Sequence, residues 1–206
     1  MMNEKVKQFL KTTQEEMSAA GVRMLMEKDK SHVLADGIEC NGYFDDSPLE
    51  FAVGMDKPFG QWFSVYVHEY CHFTQLRDKS SVWAASHVKG DEKFWEMWFD
   101  KKQPYPQEVI DRYVLPLLEV EADCERRALK IHRENPEFGI DPDVYAQKAN
   151  SYIHFYNYVR LFRKWYTPHK EPYNIKEVWT QFNIDIDDDF EVSYEYIDLY
   201  KKYCID

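Results

Sequence analysis

An α+β domain, mostly helical, with a small β-sheet or hairpin ahead of one central helix, is the fold class this sequence predicts, on three observations. Apolar residues recur at helical spacing through most of the chain from residue 61 to 166. Two short stretches of strand-like composition, HVLADGIECNGYF and LEFAVGM, flank Asp45-Asp46-Ser47-Pro48, which is turn chemistry. The chain has 206 residues, 44% of them hydrophobic, enough for one real core. The expected organisation is a domain over residues 1–182, followed over 183–206 by an acidic and aromatic tail or docked element.

The elements follow in order. Val6, Phe9, Leu10, Met17, Val22, Leu25 and Met26 sit at mostly helical spacings, so residues 3–30 read as an opening helix, broken near Gly21. In the strand pair, Leu49, Phe51 and Val53 fall on one face. Pro58-Phe59-Gly60 punctuates the chain before a helix over 61–77, QWFSVYVHEYCHFTQLR. Trp62, Val65 and Glu69 share one side of it, and His68, His72 and Gln75 occupy the next. An aromatic helix over 91–102 ends before Pro104 and Pro106. A long helical pattern over 107–133 contains Pro116, which either kinks it or opens a second helix. Residues 143–166 form a further aromatic helix, stopped by Thr167-Pro168. After about residue 183 an acidic run leads into an aromatic alternation.

Composition narrows the partners. With 37 acidic against 26 basic residues the net charge is -11, and the basic pairs Lys101-Lys102, Arg126-Arg127 and Lys201-Lys202 stand isolated beside acids. Nucleic acid is therefore not expected as a partner. The four cysteines lack CxxC spacing and are too sparse for a disulfide scaffold. The N-terminal MMNEKVKQFLKTTQEEM mixes charges through its apolar positions, unlike a secretory signal, and no apolar run approaches eighteen residues. A soluble, cytoplasmic protein without a membrane partner is the expectation.

The chemistry concentrates in His68-Glu69-Tyr70-Cys71-His72. Two histidines four apart lie one above the other on a helix, so both rings reach one metal ion, and the glutamate beside the first can deprotonate a water there. This predicts a Zn2+-dependent hydrolase acting on polypeptide, with His68 and His72 as ligands and Glu69 as general base. Catalytic zinc usually takes three protein ligands and a water. The downstream Glu119-Val120-Glu121-Ala122-Asp123 offers Glu119 as the third, with Asp123 on the same face to orient a ligand histidine. Glu121 is the alternative, because Leu117, Leu118, Cys124 and Ala128 surround it and a buried glutamate needs a pair or a metal. The bland reading is two half-buried histidines among tyrosines, with Glu69 in an ordinary ion pair.

HEYCH followed on a later helix by EVEAD resembles the gluzincin branch of zinc metallopeptidases, to which thermolysin and the HtpX-like peptidases belong. The resemblance covers roughly residues 60–77 and 115–132, and extends to the strand at 49–54. It implies a zincin-like domain, zinc ligands at His68, His72 and Glu119, a general base at Glu69 and an orienting role for Asp123. In zincins the strand before the active-site helix often pairs with an extended substrate, which would give LEFAVGM that role. The transmembrane segments of HtpX-like peptidases have no counterpart here.

Supporting groups for a developing oxyanion are sought on the next aromatic helix, where His154, Tyr156 and Tyr158 are candidates; His87, His132 and His169 have weaker claims. Cys71 and Cys124 read as packing residues, since a fourth protein ligand would close the water position. A second function class remains open: a catalytically inactive zincin-like interaction or regulatory protein, whose metal site is structural or vestigial and whose acidic-aromatic tail binds a protein partner.

Overall fold

The Asn3 side chain accepts hydrogen bonds from the amides of Lys5 and Val6 at 2.8 and 3.1 Å and so caps the first helix, α1 (Glu4–Ala19). The computed structural model describes residues 3–35 and 38–206 and has an α+β fold, mostly helical with a small sheet. It divides into two compact units. One comprises the residues through Ser80 together with Lys130–Asp141; the other comprises Ser81–Leu129 and Pro142–Asp206. Residues 183–206, expected as a tail or docked element, belong to the second unit.

In the first unit, α1 stops where Gly21 takes φ +84°, a left-handed conformation that costs glycine nothing, and the Val22 amide closes the turn on the Met17 carbonyl at 3.0 Å. The chain then extends as β1 (Arg23–Glu27) rather than continuing a helix to residue 30. Leu25 and Met26 keep their apolar spacing but use it in a sheet, because β1 pairs in parallel with β5 (Leu49–Gly54). A two-stranded antiparallel sheet, β2 (Val33–Ala35) and β3 (Ile38–Cys40), intervenes. Asp36 and Gly37, inside the expected HVLADGIECNGYF strand, lie outside the described residues. β4 (Gly42–Asp46) then pairs antiparallel with β5, giving the order β1-β5-β4.

β5 is therefore the central strand, and Glu50, Phe51, Ala52, Val53 and Gly54 are all buried. Phe51 meets Tyr66 edge-on at 5.1 Å, which turns the Leu49, Phe51, Val53 face toward α2 (Phe59–Arg77), as the alternation predicted. α1 lies against the same helix: Thr13 and Tyr66 hydroxyls are 2.6 Å apart, and the Tyr70 hydroxyl donates to Glu16 at 2.6 Å. Phe9 sits among Phe63, Tyr66, Tyr70 and Phe138, so one ring binds helix, helix and loop together. Full burial of a ring of this size contributes about 1.5–3 kcal/mol, and the half-buried Phe9 contributes part of that.

The second unit contains α3 (Ser81–Ser86) and α4 (Asp91–Trp95), the latter followed by a π-helical turn over Glu96–Asp100. The expected helix over 91–102 is thus divided. Phe94 stacks on Trp98 at 5.3 Å and on Tyr113 at 4.2 Å. α5 (Gln107–Glu134) runs unbroken through Pro116; its last residues, from Lys130, are grouped with the first unit. The expected helix over 143–166 is two helices, α6 (Pro142–Ile153) and α7 (Phe155–Phe162), and ends where Arg163 turns left-handed at φ 50°. α8 (Lys176–Trp179) and α9 (Tyr194–Tyr203) complete the unit.

α9 shows why the terminal aromatic alternation misleads. Ile197 and Tyr200 are its buried residues, three apart as a helix requires, and the Tyr200 hydroxyl donates to the Ser151 carbonyl at 2.8 Å. The acidic loop before it is held by one stripe of α6 and α7. Asn150 Nδ2 donates to the Asn183 and Asp185 carbonyls, His154 contacts Asp187, and Asn157 Nδ2 donates to the Phe190 carbonyl at 2.9 Å. Among the described residues no helix is long and apolar enough to cross a membrane.

Candidate metal and catalytic site

α2 carries the histidine pair. Its N-terminus follows Pro58, whose carbonyl accepts from the Gln61 amide at 2.9 Å, and its buried face is set by Trp62, Phe63, Tyr66, Val67 and Phe73. One turn of helix separates His68 from His72, and their Nε2 atoms stand 3.1 Å apart with the ring planes at 87°. Two imidazole nitrogens on a tetrahedral zinc at about 2.0–2.1 Å would be separated by about 3.3–3.4 Å. The pair therefore suits a metal ion with little movement.

His72 is 7% exposed, and its Nδ1 lies 2.8 Å from Oε1 of Gln75, which is 0% exposed. A neutral imidazole has one donor and one acceptor nitrogen. With Nδ1–H donating to the amide oxygen, the Nε2 lone pair points at His68 and at any shared metal.

Glu69 is 7% exposed and lies on the side of α2 that meets the sheet. A Cβ added to Gly42 of β4 would come within 2.6 Å of Val65 Cγ1, 2.8 Å of the Ala52 carbonyl oxygen and 3.2 Å of Glu69 Cγ. Glycine at position 42 thus lets the helix approach the strand at Glu69. The Cys40 thiol shares this region: burial, and then the negative charge of Glu69, push it up to about 11. A thiol so raised is protonated at neutral pH and is no nucleophile.

The expected substrate-pairing role of LEFAVGM meets an obstacle in the sheet. β5 is hydrogen-bonded to β1 on one side and β4 on the other, so neither edge is open. β4 is the outer strand beside α2.

The residues expected from α5 and the aromatic helices lie in the second unit. Glu119 is exposed; Glu121 is half-buried, with its Oε2 shut off from solvent. Asp123 accepts from Arg127 Nε at 2.9 Å. Cys124 is buried, as is Glu125, which accepts from the Tyr145 hydroxyl. Tyr152 and Tyr156 have hydroxyls 3.2 Å apart, and both phenols are pushed up by burial, with Glu121 adding to the effect. Tyr156 is thus a neutral hydroxyl in the surroundings of the Glu121 carboxylate.

His154 is differently placed. It is 5% exposed, caged by Phe182, Phe190 and Tyr196, and its Nε2–H donates to Asp187 Oδ2 at 2.8 Å. Burial lowers its pKa, while Asp187 pulls the other way. A ring enclosed by the acidic loop of its own unit has a structural task there. Sequence reasoning had placed Gln75 on the histidine face without giving it a role, and had not paired Tyr152 with Tyr156. The spacings of three and four residues were the available signals.

No family model, curated protein or solved structure matches the chain.

Proposed function

We propose that the chain is a zinc-dependent peptidase of gluzincin type, in a zincin-like fold, with His68 and His72 as ligands and Glu69 as general base. The observation that carries this reading is the HExxH helix itself: two Nε2 atoms 3.1 Å apart, one ring in contact with Gln75 through its Nδ1, and a buried glutamate next to the first histidine. A bound zinc would supply a Lewis acid for the scissile carbonyl and a water acidic enough to attack near neutral pH. Glu69 would serve as the base toward the attacking water and as the acid toward the leaving amine. β4, the outer strand beside α2, is the candidate to receive an extended polypeptide by strand addition.

For the third ligand we take Glu119, with Glu121 two residues on as the alternative. Asp123 keeps the orienting role that the resemblance implies for it, and Tyr156 is the candidate oxyanion donor in place of His154.

A second reading gives the metal a thiolate as well, from the buried Cys124 of α5. A thiolate joining a carboxylate would close the water position and make the site structural. The chain would then be an inactive zincin-like interaction protein.

Elemental analysis of protein purified without a metal-binding tag, combined with a peptide-cleavage assay, separates the two. One zinc per chain, cleavage abolished by Glu69→Gln, and zinc lost in Glu119→Gln (or, for the alternative ligand, in Glu121→Gln) but kept in Cys124→Ser is the expected pattern. Zinc lost in Cys124→Ser, with no cleavage by the native chain, would select the structural reading. No zinc at all would remove both.

A further inference from the structure

We propose that Gln75 is a positioning residue for metal binding, holding His72 as the Nδ1–H tautomer through its side-chain carbonyl so that the Nε2 lone pair is available to the metal. The inference rests on the zinc reading above and deepens it.

The argument begins with helix geometry. Residues three apart share a face of α2, so Gln75 reaches the ring of His72 from within the same helix. Their contact is 2.8 Å from Nδ1 to Oε1. Gln75 is completely buried, in a helix stretch otherwise occupied by Tyr70, Cys71, Phe73 and Thr74, all buried as well. A polar side chain placed there needs partners inside the protein, and the imidazole N–H is one. An amide oxygen only accepts, so this contact assigns the proton to Nδ1. The other nitrogen then faces His68 as a bare lone pair, which is the form a metal requires.

Chemically, an amide differs from the carboxylate that usually stands behind a ligand histidine. It fixes ring and tautomer without adding negative charge, so the metal stays more electrophilic than one held through a carboxylate-backed histidine. The orienting group for this ligand also belongs to the same continuous element as both histidines. His72 and this orienting group are thus both supplied by α2.

The test has two arms. In metal-free protein labelled with 15N-histidine, long-range proton–nitrogen correlation is expected to show His72 with its proton on Nδ1. In zinc titrations against a chromophoric chelator, Gln75→Met is expected to weaken binding about 10–100-fold, and Gln75→Glu to restore it. A proton on Nε2 of His72 in the native protein would overturn the proposal, whatever the affinity. So would a Gln75→Met variant with unchanged zinc affinity, or one that remains folded and keeps the Nδ1–H form. Should Gln75→Met fail to fold, the native tautomer and the Gln75→Glu affinity decide. Absence of zinc binding by the native chain would sink the zinc reading instead, and the metal-free tautomer would still judge the hydrogen bond.

Discussion

Exchange of the Glu69 carboxylate for an amide removes a base while keeping shape, and position 69 is packed closely enough against Gly42 for shape to matter. Glu69→Gln is therefore expected to lower peptide cleavage by about 10²–10⁴-fold, the usual worth of a positioned acid–base group, while zinc content stays at one per chain. Loss of zinc together with activity would make Glu69 a ligand or a folding residue instead. His72→Ala removes the more deeply buried histidine of the pair and the partner of Gln75. It is expected to abolish zinc retention through dialysis, read by elemental analysis. Residue-level chemistry was the most legible part of the sequence: His68, Glu69 and His72 declare themselves by spacing, because a helix fixes which side chains can meet. Glu119 and Glu121 could not be separated that way. Both are acidic and two apart, and only their unequal burial distinguishes them.

At the scale of elements, the contact of α2 with β4 depends on one missing methyl group. Gly42→Ala would place a Cβ 2.6 Å from Val65 and 2.8 Å from the Ala52 carbonyl, neither of which is the loose end of a flexible chain. A loss of about 1–3 kcal/mol in chemical denaturation is expected, with cleavage reduced further than stability because Glu69 is displaced. Equal stability would show that the strand yields freely. In the second unit the helices over 91–102, 107–133 and 143–166 are legible in place but not in length, whereas α3, α8 and α9 carry no such signal. Gly21 and Arg163 end α1 and α7 by left-handed turns; the glycine was a visible signal, whereas an arginine at φ 50° was not. Pro116 raised a question that the tertiary context answered, since α5 continues through it.

For the molecule as a whole, two linkages affect stability. His154 has its pKa lowered by burial, so the unfolded chain binds a proton near the ordinary histidine value of 6.5 before the folded chain does. Stability is full above that pH and declines as pH falls through it, by at most about 1.4 kcal/mol per pH unit, until the folded form also protonates. His154→Gln is expected to flatten this limb in denaturation curves measured between pH 7 and 5; an unchanged slope would assign the acid sensitivity to other groups. Zinc, bound as proposed, would add the second linkage. At a free concentration one hundred times its dissociation constant it stabilises by about 2.7 kcal/mol, so a chelator should lower the melting temperature of the native chain and leave that of His72→Ala unchanged. The sequence by itself determined the α+β class, the order of most helices and the histidine–glutamate helix, because these follow from periodicity and from spacing within one element. Tertiary structure alone decided that β5 is interior, that His154 is held by the acidic loop, and that α9 docks by Ile197 and Tyr200. Those outcomes depend on which distant segments compete for the same surface, and local sequence carries no record of that competition.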